Sequence, residues 1–116
     1  MISGIGTDIV EIERVRKVIS ESFMARVLSN EELERTKTMS ENRKIQFLAG
    51  RFAAKEAIIK CLSDEEVPDM RDLNITNNEK GKPEIVYKDY RILLSISHEI
   101  KYATAVAVLC DKEDIG

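Results

Sequence analysis

The chain has 116 residues, of which 43% are hydrophobic and 34% charged, with five Gly and two Pro. That balance suits one globular domain and excludes a collagen-like, linker-rich or wholly disordered chain. A net charge of −3 argues against a surface built throughout to grip nucleic acid, so any bound anion must be met by a local basic cluster.

Over Met1 to Val10, Ile2, Gly4, Gly6, Asp8 and Val10 fall on one face of a predicted strand, and Ile5, Thr7 and Ile9 on the other. From Ile9 the apolar residues take helical spacing (Ile9, Ile12, Val15, Ile19), so strand turns into helix. Ser29-Asn30-Glu31-Glu32 fits a capping box opening a short helix over Glu31 to Thr38. Ser40 is a second cap. Behind it Ile45, Leu48, Ala49, Phe52, Ala53, Ile59 and Leu62 recur at spacings of three and four, which predicts one long helix from Glu41 to Leu62.

The helical pattern stops at Asp64, Glu65, Glu66 and Pro68, and short strands are predicted at Leu73 to Thr76, Ile85 to Tyr87, Leu93 to Ser97 and Tyr102 to Leu109. Asn77 to Pro83 reads as a hairpin loop, with Gly81 free to take positive φ and Pro83 placing the hairpin at a sheet edge. His98 to Lys101 links the last two strands. The expected architecture is a single α+β domain over 1–116, an antiparallel sheet packed against one long helix plus short helices, with 111–116 a frayed polar tail. A chain of this length buries somewhat under about 70% of its unfolded surface, so self-association would add useful burial. Cys61 and Cys110 lie in separate apolar runs and read as reduced thiols, and no run approaches the length of a membrane span. With no basic segment and apolar core of a signal peptide at the start, the expected setting is cytoplasmic.

Chemistry is expected where charge meets an apolar face. At about 100° per residue, Glu56 falls within about 40° of Ile45, Ala49, Phe52 and Lys60. A carboxylate there needs compensation, either as a half-buried ion pair with Lys60 or as a ligand to a cation. Asp8 shares its strand face with Gly and Val, and either caps the helix beginning near Glu11 or converges on Glu56. Two such carboxylates, completed by waters and substrate phosphates, are how Mg²⁺ is held in phosphoryl-transfer sites. Small Ala49 and Ala53 would let the helix approach the strand. Lys60 and Arg51 could meet phosphate oxygens, while Arg51 and Lys55 could equally form an i, i+4 solvated face. His98 stands at a turn, either as a surface residue or as an anion contact.

The blocks Gly4-Ile5-Gly6-Thr7-Asp8-Ile9-Val10-Glu11-Ile12, Phe47-Leu48-Ala49-Gly50-Arg51-Phe52-Ala53-Ala54-Lys55-Glu56-Ala57, Gly81-Lys82-Pro83 and Ser95-Ile96-Ser97-His98 together resemble the holo-acyl-carrier-protein synthase family, in matching order over nearly the whole chain. The resemblance implies Mg²⁺-dependent transfer of 4′-phosphopantetheine from coenzyme A to a serine of apo acyl carrier protein, releasing adenosine 3′,5′-bisphosphate, in fatty acid biosynthesis. It carries the metal carboxylates onto Asp8 and Glu56, the phosphate-contacting groups onto Arg51, Lys60 and His98, and the adenine-side loop onto Gly81, Lys82 and Pro83. Asp8, Glu56 and Lys60 are thereby the expected catalytic set. The family's small members are homotrimers with sites between subunits, which puts His98 across an interface from Asp8 and Glu56. The serine proton would pass to Glu56 or a water, with Glu32 nearby.

An acidic carrier protein calls for a basic docking surface with an apolar centre, and Arg14, Phe23, Met24 and Arg26 around the first helix suit it. Glu99 departs from the family pattern, because a carboxylate beside His98 repels phosphate. The readings from other classes are a noncatalytic trimeric module that binds nucleotide or carrier protein, and a Mg²⁺ nuclease. The acidic net charge disfavours the nuclease, and the intact Asp8, Glu56 and Lys60 disfavour the module.

Overall fold

The computed structural model describes residues 1–63 and 65–111. The first strand, β1 (Ile2–Glu11), runs one residue further than its alternation predicts and passes directly into α1 (Ile12–Val18). Ile9 therefore stays in the strand and points outward, 63% exposed, instead of opening the helix. Glu11 stands at the N-cap of α1 without a side-chain cap bond, so Asp8 does not cap this helix. A second short helix, α2 (Glu21–Val27), has no counterpart in the sequence reading. Its N-cap is Ser20, whose hydroxyl accepts from the Phe23 amide at 3.0 Å. Phe23, Met24 and Arg26 thus ride on α2, apart from Arg14 on α1.

The capping box forms as expected at Ser29 and Glu32 and opens α3 (Asn30–Thr36). Ser40 caps α4 (Glu41–Cys61), accepting from the Arg43 amide. A 3-10 turn at Met70–Asp72 leads to β2 (Ile75–Asn77), then β3 (Pro83–Tyr87), β4 (Tyr90–His98) and β5 (Tyr102–Cys110). Leu73 lies before β2, not in it, but is wholly buried. Lys88, at φ 53°, makes the tight β3–β4 turn, where the sequence offers no glycine. Glu66 pins that hairpin: its carboxylate accepts from Tyr90 Oη, Lys88 Nζ and Tyr87 Oη, which holds it below the usual carboxylate range.

All five strands form one antiparallel sheet in the order β1-β5-β4-β3-β2, so the hairpin does lie at an edge. α4 covers one face. Its C-terminal half packs Ala53, Ala57, Ile58 and Cys61 against Ile92, Leu94, Ala105 and Ala107, while its N-terminal half packs Ile45, Leu48 and Ala49 against α1 and Val27–Leu28. The opposite face carries Ile5, Ile9, Leu93, Tyr102 and Val106, each at least 40% exposed.

Both cysteines are free thiols; Cys61 is buried, which pushes its pKa up, and Cys110 is half-buried. Asp111 donates its amide to the Met1 carbonyl at 3.0 Å, so the expected fraying does not begin there, and 112–116 lie outside the described residues. Among the described residues no helix is long and apolar enough to cross a membrane.

Candidate active site

The site is set by how closely α4 approaches β1. A Cβ built on Gly4 would lie 2.0 Å from the Cys61 carbonyl oxygen, and one on Gly6 would lie 2.0 Å from the Ala57 carbonyl oxygen. Only a residue without a side chain fits at either place. Two steps along the strand, about 7 Å, match about one helical turn running the other way. The next step beyond Gly6 brings Asp8 toward the turn that carries Ala53 and Glu56. The glycines of β1, more than Ala49, are what make the convergence of the carboxylates feasible.

Asp8 and Glu56 line one cleft of roughly 720 Å³ together with Ile9, Val10, Glu11, Arg14, Val15, Lys17, Val18, Phe23, Phe52 and Tyr102. Asp8 is mostly buried, its side chain 18% exposed, and accepts from Lys60 Nζ at 3.2 Å; the same ammonium donates to the Thr7 carbonyl at 3.0 Å. Lys60 therefore pairs with Asp8, not with Glu56. The Glu56 carboxylate is half-buried and has no hydrogen-bond or ion-pair partner among the described residues. The apolar wall is made where Phe23 of α2 meets Phe52 of α4, ring centroids 5.9 Å apart, with Arg26 over the Phe23 ring at 5.8 Å. Arg14 and Lys17, one helical turn apart on α1, make the rim basic.

Residues 4–110 match the family model of the 4′-phosphopantetheinyl transferase superfamily. The chain belongs to this superfamily. It is 44% identical over 115 residues to a holo-[acyl-carrier-protein] synthase of Geobacillus sp. (strain WCH70), covering 94% of this chain and 97% of that one. Among solved structures it is similar to the holo-(acyl-carrier-protein) synthase of Bacillus anthracis str. Ames in complex with coenzyme A (3′,5′-ADP), with a TM-score of 0.84 and 38% identity, over 94% of this chain and 96% of that one. It is similar as well to the holo-[acyl-carrier-protein] synthase of Neisseria meningitidis, with a TM-score of 0.85 and 31% identity, over 96% and 100% of the two chains.

In this transferase superfamily member the remaining expected residues do not line the cleft of a single chain. Gly81 takes φ +84° in the β2–β3 loop, as its hairpin role requires, and Lys82 and Pro83 border a groove on the outer sheet face with Leu93, Ser95 and Val106. His98 is the last residue of β4, paired with Ala103, rather than a turn residue, and it is exposed. Beside it, the Glu99 carboxylate accepts from the Lys101 and Tyr102 amides at 2.7 and 2.9 Å. Its departure from the family pattern thus serves the β4–β5 turn.

Arg51 and Lys55 are not a solvated face. Arg51 is 6% exposed and Lys55 is fully buried. Lys55 Nζ donates to Glu32 Oε1 at 2.5 Å and to the Val27 carbonyl at 2.7 Å, while Arg51 Nε donates to Glu32 Oε2 at 3.2 Å. Burial pulls both cations' pKa values down, and the Glu32 charge opposes that pull. Glu32, itself 1% exposed, also accepts from the Ser29 and Ile75 amides, so its carboxylate is committed to the fold and lies outside the cleft.

The close packing at Gly6 yields a direct test. Gly6→Ala must displace backbone that cannot yield like a side chain, at a cost of about 1–3 kcal/mol, and it pushes α4 away from Asp8. Urea unfolding should register that loss, and transfer by the fraction that remains folded should fall further. Wild-type behaviour in both would mean that the approach of helix to strand is not what builds the site.

Proposed function

We propose that this chain transfers 4′-phosphopantetheine from coenzyme A to a serine of apo acyl carrier protein with Mg²⁺ held between Asp8 and Glu56. What carries the reading is that two carboxylates from distant parts of the chain share one cleft, one of them paired with Lys60, in a member of a phosphopantetheinyl transferase superfamily. The donor set suits Mg²⁺: it is hard oxygen, one carboxylate is without a protein partner among the described residues, and no described group of three or more His, Cys, Asp and Glu forms a closed cage. Substrate phosphates and waters therefore have positions left to fill. Bound there, the ion would neutralise charge on the diphosphate.

The chain's own residues orient and neutralise the rest. The serine hydroxyl gives its proton to Glu56 or a water while its oxygen forms a bond to the β-phosphorus, the bond from that phosphorus to the bridging oxygen breaks, and adenosine 3′,5′-bisphosphate departs with the electron pair. Lys60, 52% exposed and 3.2 Å from Asp8, keeps an ammonium where the diphosphate charge lies. The apolar wall of Val15, Val18, Phe23 and Phe52 suits the pantetheine arm, and the basic rim of Arg14 and Lys17, with Arg26 on α2, suits an acidic carrier docking beside Phe23 and Met24. Free thiols and this chemistry fit the cytoplasm.

Arg51, His98 and Gly81 to Pro83 stand apart from the cleft of one chain, while the outer sheet face leaves Ile5, Ile9, Leu93 and Val106 exposed. A homotrimer packed through that face covers the apolar surface and brings His98 and the Gly81–Pro83 loop of one copy toward the carboxylates of another. Val106→Asp, in the middle of that face, should give a folded monomer by sedimentation that transfers little or nothing. A trimer of undiminished activity would remove the sheet face from the assembly.

Incubation with coenzyme A, Mg²⁺ and an apo carrier protein, followed by intact mass measurement of the carrier, tests the function itself. A gain of one phosphopantetheine group is the expected result. An unchanged carrier with coenzyme A still bound would favour a noncatalytic module.

A further inference from the structure

We infer that Asn77 is a positioning residue that holds the nucleotide-side loop in its binding shape, and that Arg51 acts through Asn77 within one chain. The inference rests on the reading above that residues 81–83 meet the nucleotide of coenzyme A. All five residues of the loop, 78–82, are exposed, so no buried side chain anchors it. Its own bonds give it a fixed internal shape: the Asn78 amide donates to the Lys82 carbonyl, the Gly81 amide to the Asn78 carbonyl, and the Asn78 side-chain oxygen accepts from the Lys80 and Lys82 amides. A unit rigid within itself still pivots on its two ends.

The Asn77–Pro83 ladder pair closes the loop's two ends, and the Asn77 side chain ties the loop to the rest of the fold. Its Nδ2 donates to the Gly81 carbonyl at 2.8 Å, and its Oδ1 accepts from Arg51 Nη2 at 2.8 Å and Arg35 Nη1 at 2.8 Å. Both guanidinium carbons lie over the buried Phe47 ring, 4.6 and 4.9 Å from its centroid. Arg51 is fixed in turn by Glu32. The loop is thereby connected through one amide to α4, the helix that carries Glu56. Pre-setting the loop this way lowers the ordering cost of nucleotide binding without touching the reacting atoms.

Asn77→Asp separates the two halves of this link. A carboxylate still accepts from both guanidiniums, but it cannot donate to Gly81, and it sets an oxygen against that carbonyl. Loss of one such hydrogen bond should raise KM for coenzyme A by about three- to tenfold. The value of kcat, KM for the carrier protein and the thermal midpoint should stay near wild type. Asn77→Ala, which also strips an acceptor from Arg51, should raise KM for coenzyme A at least as much and lower the midpoint too. Titration calorimetry with coenzyme A alone reads the same weakening without turnover. Weaker coenzyme A binding by the Asp variant therefore supports the inference even if the wild-type chain transfers nothing, an outcome that would refute only the proposed reaction. Equal coenzyme A affinity, or a fall in kcat with a rise in both KM values together, overturns it.

Discussion

Glu56→Gln is expected to leave a folded chain whose transfer rate falls at least about a hundredfold, the scale on which a preorganised charge at a reacting phosphate acts. The wild-type carboxylate is half-buried on α4 with no protein partner among the described residues. Removing its charge therefore breaks no ion pair, and urea unfolding should stay within about 0.5 kcal/mol of wild type or move slightly upward. Asp8→Asn should act alike on the rate. Because Asp8 pairs with the half-exposed Lys60, its stability cost stays within about 1 kcal/mol. Calorimetric titration of Mg²⁺ onto each variant separates lost metal binding from lost chemistry. A Glu56→Gln chain that modifies the carrier at the wild-type rate would remove this carboxylate from the reaction.

The parts of the site that were legible from sequence were those whose signal lies within one element. Alternation placed Asp8 on the glycine face of β1, the helical wheel placed Glu56 with the apolar stripe, and the Ser29 capping box formed as its four residues dictate. What spacing could not supply was the partner across elements. Lys60 sits four residues after Glu56, yet it reaches back to Asp8, because the glycines let β1 lie within its range. The buried fate of Arg51 and Lys55 did have a sequence signal: Leu48, Arg51, Lys55, Ile58 and Leu62 repeat at three and four, and all five are buried. Because Arg51 and Lys55 at i, i+4 fit a solvated pair equally well, spacing alone did not decide between the two. Nothing in the sequence reveals that the Glu of a capping box turns inward to receive them, since that depends on where α3 lands beside α4. The short helix α2 escaped for a different reason: its N-cap Ser20 is followed at N3 by Phe23, so no capping box announces it.

The inward-facing Glu32 carries the largest stability effect expected in this chain. Lys55→Met keeps the length of the side chain but removes a donor from a carboxylate that is 1% exposed, leaving it to Arg51 and two backbone amides. Breaking one side of a buried ion pair costs about 3–5 kcal/mol, a large part of the roughly 5–15 kcal/mol that holds a domain together. Glu32→Gln should cost at least as much, since it strips the countercharge from two buried cations at once. The two residues act on each other, so the double variant Glu32→Gln/Lys55→Met should lose less than the sum of the single losses, by roughly 0.5–3 kcal/mol. Urea unfolding of the four chains measures that coupling. Losses that add within about 0.5 kcal/mol would mean that each residue stabilises the fold separately, and that α3, the Val27 carbonyl and α4 are not joined through a shared buried charge.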